Sequence, residues 1–240
     1  MVPPSLVYPL NRFPGMRKAC DMACDMACDM ESYFTMRGGL EAQGEFLDRK
    51  SRFIAQLVHV EDEHEAAAHI EEVRSRHFDA RHNVPAWILR DGQERASDDG
   101  EPQRTSGMPT LEVLRGARLK DVCCVTTRYF GGTLLGPGGL VRAYTAAAQA
   151  AIEMARTQDM LVEMTAVAPV GVRVPYALLE QVRHLVEQAG GKERAVEYTD
   201  EVALSLVFHA GDEEPFIAAM TELTAGNPRI ERGAVRFDEF

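Results

Sequence analysis

The segment Arg128-Tyr129-Phe130-Gly131-Gly132-Thr133-Leu134-Leu135-Gly136-Pro137-Gly138-Gly139-Leu140-Val141-Arg142-Ala143-Tyr144 concentrates residue types that can hold an anion. It has five glycines in nine residues, Gly131, Gly132, Gly136, Gly138 and Gly139. Backbone N–H groups free of side chains can approach phosphate closely, and the start of a following helix adds positive potential. Arg128 and Arg142 flank the glycines, and guanidinium forks match phosphate oxygens. The plainer alternative is that the glycines serve tight turns and close helix–strand packing, with the arginines solvated or paired. Glycine count alone does not separate the two. Tyr129, Phe130 and Tyr144, with Trp87 upstream, would offer a stacking surface for unpaired bases, against ordinary core packing for any single ring.

A second cluster, Ser97-Asp98-Asp99-Gly100-Glu101, places three carboxylates within four residues. Such a group can hold a hard cation or work as an acid/base pair, but calcium-loop spacing is absent. The favoured reading is a solvated turn in which Asp98 or Asp99 caps a backbone amide and Gly100 takes a positive φ; the alternative structural role is that the acids orient Arg104, Arg128 or Arg142 by ion pairing. His82 is a candidate proton carrier with no nucleophile beside it, and a hydrogen-bonded structural role is favoured. His64 and His69 are five residues apart, so on a helix their rings diverge by about 140° and form no zinc pair. A kinase reading lacks the lysine-serine/threonine ending of a phosphate loop, and Lys18, Lys50, Lys120 and Lys192 all fall outside the glycine segment. No catalytic residue, metal site or cofactor is expected.

These groups must be positioned by a chain of 240 residues, 45% apolar, long enough for two cores. The net charge of -11 opposes indiscriminate binding to nucleic acid or anionic lipid. Its distribution is uneven: residues 102–148 carry six basic and two acidic side chains, whereas 149–240 carry 16 acidic and 8 basic. No apolar run is long enough for a membrane span, no signal segment is recognisable, and the five cysteines do not form a secreted framework. A cytoplasmic protein with reduced thiols is expected. Residues 19–30 read Ala-Cys-Asp-Met three times; the spacing of Cys20, Cys24 and Cys28 matches no zinc motif, and a disordered low-complexity extension is expected over 1–34.

Order is expected to begin within 35–44. Strands follow at 50–60, 83–89 and 122–127, and a helix at 62–77 opens on the capping box Asp62/Glu65. Pro109 starts a short helix ending at Gly116, and an alanine-rich helix covers 140–156. The pattern then restarts: strand 165–174, helix 175–189, strands 195–198 and 202–209, a helix opened by Asp212 and Pro215, and strand 230–237. That βαββαβ order is the split unit of ferredoxin-like domains.

Three blocks carry a specific resemblance. The glycine segment, Ala80-Arg81-His82-Asn83-Val84-Pro85-Ala86-Trp87, and Ser97-Asp98-Asp99-Gly100-Glu101-Pro102 followed by Thr105-Ser106-Gly107-Met108-Pro109 resemble, in order and spacing, the signature of the IMPACT/YigZ family over roughly residues 40–155. The resemblance is to bacterial two-domain members. It implies an α+β N-terminal domain at 35–158, similar to domain IV of elongation factor G and to the GHMP kinase fold, and a ferredoxin-like domain at 159–240. It also implies a link to translation, since eukaryotic relatives act by protein contact in translational control.

The functional expectation is a translation-linked regulatory or binding protein that contacts RNA, the ribosome or a translation factor. The expected anion or nucleic-acid contacts are Arg104, Arg128, Tyr129, Phe130, Gly131, Gly132, Gly136, Gly138, Gly139, Arg142 and Tyr144. His82, Asp98, Asp99, Gly100, Glu101, Thr105 and Ser106 form a supporting loop. The alternatives are a magnesium-dependent enzyme acting on a nucleotide or phosphorylated small molecule, and a protein–protein adaptor anchored by the aromatics. No DNA-specific motif is present, and the sequence is silent on oligomeric state.

Overall fold

The computed structural model describes residues 31–240. The Ala-Cys-Asp-Met repeat lies outside the described residues. Tyr33 and Phe34, assigned above to the extension, belong to the first strand, β1 (Tyr33–Met36).

The first sheet is antiparallel, in the order β2 (Glu41–Asp48), β3 (Ser51–His59), β6 (Val122–Tyr129), β4 (His82–Ile88), β5 (Glu94–Ala96). Helix α1 (Glu63–Arg76) covers one face; α2 (Gly107–Gly116) and α3 (Gly136–Thr157) cover the other. This double cover explains why β6 is apolar on both sides. Val122 and Cys124 face the α2/α3 core, whereas Cys123 and Val125 join Val73, Trp87 and Leu89 under α1. Cys123 and Cys124 are buried free thiols, and burial pushes Cys124 up to about 12, so both behave as small apolar residues. The capping box is formed: Asp62 accepts from the Glu65 amide and Glu65 from the Glu61 amide, both at 2.8 Å.

β2 was not anticipated, because Glu41–Asp48 has few apolar residues. Ala42 and Gly44 still alternate inward onto α3, and a Cβ at Gly44 would fall on the backbone of Ala151, so only glycine lets the helix lie this close. Helix α3 starts four residues earlier than expected because Pro137 occupies its first turn, where its missing N–H costs nothing. Likewise α2 begins at Gly107 rather than Pro109.

The second sheet is built on β7 (Leu161–Val174), which pairs with β1 through its first residues and with β9 (Val202–His209) further along. β8 (Lys192–Tyr198) pairs with β9, and β10 (Ile230–Arg232) and β11 (Arg236–Glu239) pair with β7. The expected final strand is therefore two short ones. Helices α4 (Leu179–Gln188, after a 3-10 turn at Tyr176–Leu178) and α5 (Glu213–Leu223) bury Val182, Val186, Phe216 and Met220 against this sheet. From β7 onward the order is βαββαβ with the last strand divided into β10 and β11, and the fold is mixed α+β in two parts. No helix of the described residues is long and apolar enough to cross a membrane.

Candidate functional site

At the end of β6 the side chains alternate between faces, and that alternation splits the expected contact set. Arg128 points into the α2/α3 side, with its guanidinium between the rings of Phe53 and Phe130, 5.5 and 5.6 Å from their centroids. It pairs with Glu101 at 2.6 Å, and the same Glu101 oxygen accepts from the Tyr144 hydroxyl at 2.9 Å. Arg128 and Tyr144 are 6% and 0% exposed. They are therefore not the expected surface contacts but a buried lock, in which Glu101 of the acidic cluster orients Arg128 by ion pairing. Burial, with Glu101 alongside, drives the Tyr144 phenol far above its ordinary value, so it remains a neutral donor.

Tyr129 turns to the opposite side. Its hydroxyl lies 3.0 Å from both His77 Nδ1 and Asp79, at the end of α1. Trp87 is buried on the α1 face. Neither can join a stacking surface with Phe130; of the four expected rings, Phe130 is the exposed one, at 44%.

The acidic cluster is a stitched loop. Asp98 accepts from the amides of Arg104, Ser106 and Gly107 and from the Ser106 hydroxyl, at 2.7 to 3.1 Å. Burial opposes its ionisation, but those donors outweigh burial and hold its carboxyl below the usual range. Asp99 accepts from the Asn83 amide and from Arg74, and Gly100 takes φ 84°. His82 is held by the Asp99 carbonyl at 2.7 Å, and Thr105 donates to Pro102. Among the described residues no three His, Cys, Asp or Glu side chains form a metal-binding group. The three sequence blocks thus converge: His82 pairs across β4–β6 with Arg128, and the 98–107 loop brings Glu101 onto both Arg128 and Tyr144.

What faces solvent is different. Gly132, Thr133, Leu134, Gly136, Pro137 and Gly138 are exposed; Gly139 is tucked under Leu135, and Arg142 reaches back toward Gly138 and Gly139. The first turn of α3 has no side-chain cap and no acidic residue. Gly131 donates to Ser51 Oγ, and a Cβ on it would strike the backbone of Lys50 and Ser51. The β2–β3 turn is therefore pressed against the glycine loop. Its two turn residues, Arg49 and Lys50, are exposed, take φ 46° and 67°, and form no ion pair among the described residues. Sequence reasoning missed both because the β2 strand that makes them a hairpin tip was not seen. Arg104, also at positive φ, stands apart beside α2.

The mixed α+β architecture in two parts agrees with the comparisons with known proteins. Residues 49–152 match the Impact N-terminal domain, and 172–227 match the Domain of unknown function (DUF1949). The chain belongs to the IMPACT family. It is 34% identical over 210 residues to IMPACT family member YvyE of Bacillus subtilis, covering 87% of this chain and 94% of that one. It is 35% identical over 186 residues to IMPACT family member YigZ of Escherichia coli, covering 76% and 89%. A crystal structure of a hypothetical protein aligns with a TM-score of 0.52 at 31% identity, covering 86% of this chain and 98% of that one.

Proposed function

We propose that this chain is a cytoplasmic, translation-linked binding protein that contacts RNA, free or on the ribosome, through the Arg49–Lys50 turn, the 131–138 loop and Arg142. The observation that carries this reading is the turn itself. A two-residue hairpin turn with both residues at positive φ is normally filled by Asn-Gly, and a non-glycine residue there costs roughly 1 kcal/mol. Two strained cations at the tip, without an ion pair among the described residues and on a turn pressed against Gly131, together with the uncapped helix amides and exposed Phe130 of the same glycine segment, suit phosphate and an unstacked base. The acidity of the rest of the chain restricts binding to that edge.

The test is binding of labelled single-stranded RNA, transfer RNA and ribosomes across a salt series, comparing the wild type with Arg49→Ala/Lys50→Ala/Arg142→Ala. Loss of affinity with a shallower salt dependence, by about 0.7 in log–log slope per cation on single strands, supports the reading. No binding by the wild type, or binding unchanged in the variant, ends it. A translation factor as the partner is favoured by Leu134, 81% exposed at the loop tip; binding to it would show little salt dependence. Magnesium-dependent ATP binding without RNA binding would instead favour the enzyme alternative.

A further inference from the structure

Helices α2 and α3 lie side by side and run in the same direction. At one end Glu101, just before α2, binds Tyr144 of α3. At the other, β1 and the residue after it bond to the chain just past each helix: the Phe34 amide to the Arg118 carbonyl at 2.9 Å and the Arg37 amide to the Met160 carbonyl at 2.8 Å. Between the helices is an open groove of about 890 Å³. Met108, Val113 and Ala117 of α2 and its exit, with Val141 and Ile152 of α3, supply its apolar lining, and among the described residues no aromatic ring lines it. The ten residues of α2 give it a length of about 15 Å.

Its charges are arranged by position. Arg104 lines the end where α2 begins and Arg156 the end where α3 finishes, and neither forms an ion pair among the described residues. Glu112 on the rim is taken by Arg115, which leaves Glu153 as the one lining carboxylate without a cation. Arg118, exposed and also unpaired among the described residues, follows α2 at the Arg156 end. An aliphatic channel with cationic ends is unusual on a chain of net charge -11.

We propose that the α2/α3 groove docks an acidic amphipathic helix of a partner protein, with apolar side chains at i, i+3 or i+4 and i+7 along the channel and carboxylates meeting Arg104 and Arg156. This goes beyond the RNA reading and uses a different face. RNA fits poorly here, because the lining gives a base no ring to stack on. An apolar helix face matches both the length and the chemistry.

The probe is a dye-labelled peptide of about 14 residues, roughly 21 Å of helix, with leucines on one stripe and glutamates at both ends. It is compared with the same peptide carrying lysines at the ends. The expected result is binding of the glutamate peptide by the full chain, tighter than the lysine peptide by about tenfold, with Arg104→Glu/Arg156→Glu reversing the preference. Both arginines are rim residues, so the variant should fold. Val113→Glu should abolish binding; because that change risks the fold, methyl NMR shifts of Val113, Val141 and Ile152 in the wild type give an independent readout. Absent binding, equal affinity for the two peptides, unmoved methyl signals, or displacement of the peptide by single-stranded RNA would overturn the proposal. So would concentration-dependent dimerisation that Val113→Glu abolishes, which would make the occupant a second copy.

Discussion

Arg128 and Glu101 form the one ion pair among the described residues in which both side chains are nearly sealed from water, at 8% and 3% exposure. Removing either partner leaves an uncompensated buried charge, so Arg128→Ala or Glu101→Ala should each cost about 3–5 kcal/mol. The double change Arg128→Ala/Glu101→Ala should cost well below the sum of the two single changes, because neither charge remains. Urea unfolding of the four proteins checks this. Additive losses would mean that the pair is not the joint between β6 and the 98–107 loop.

Asp98 is the second joint. Asp98→Ala strips an acceptor from the amides of Arg104, Ser106 and Gly107, and should cost about 2–3 kcal/mol with much faster hydrogen exchange at those positions. Because its folded pKa is lowered, the stability it contributes is complete above about pH 3.9 and is lost as pH falls through the folded value. Neutral-pH titration should therefore leave this loop unmoved.

Two histidines set a milder acid sensitivity. Burial lowers the pKa of His69, whose Nε2 has no partner among the described residues, and burial with the neighbouring Arg76 lowers that of His77. The unfolded chain takes up these protons first as pH falls, so stability is full above about pH 6.5 and declines below it. His69→Leu should flatten the decline, as read from the urea midpoint between about pH 7 and 5. An unaltered pH profile would show that His69 does not titrate on unfolding.

Gly131→Ala tests whether the hairpin tip and glycine loop work as one unit. The added methyl must push apart the Lys50–Ser51 backbone and the loop, at about 1–3 kcal/mol. RNA binding should fall together with binding by the Arg49→Ala/Lys50→Ala protein. Full RNA affinity with reduced stability would assign Gly131 to packing alone.

The helices were legible wherever local chemistry marks a boundary: Asp62 and Glu65 cap α1, and Gly190 follows the end of α4. β1 and β2 were hidden because their partners, β7 and β3, make them strands, and their own residues carry weak patterns. At the site, the three blocks and a carboxylate at Asp98 or Asp99 that accepts backbone amides could be read, since the spacing is local. The burial of Arg128 could not: its counter-charge is 27 residues away, and a lone arginine after an apolar strand reads as a surface cation. Missing β2 also hid Arg49 and Lys50.

β1 precedes the first sheet in the chain yet is hydrogen-bonded into the second, and its Phe34 backbone also bridges to Arg118 and Lys120. A fragment trimmed to residues 49–152 would discard β1 and all of β2, baring the flank of β3 and the apolar side of α3. What sequence similarity delimits as separable modules is, mechanically, a laced assembly. Anyone transplanting either half into another protein should expect to carry the lace with it.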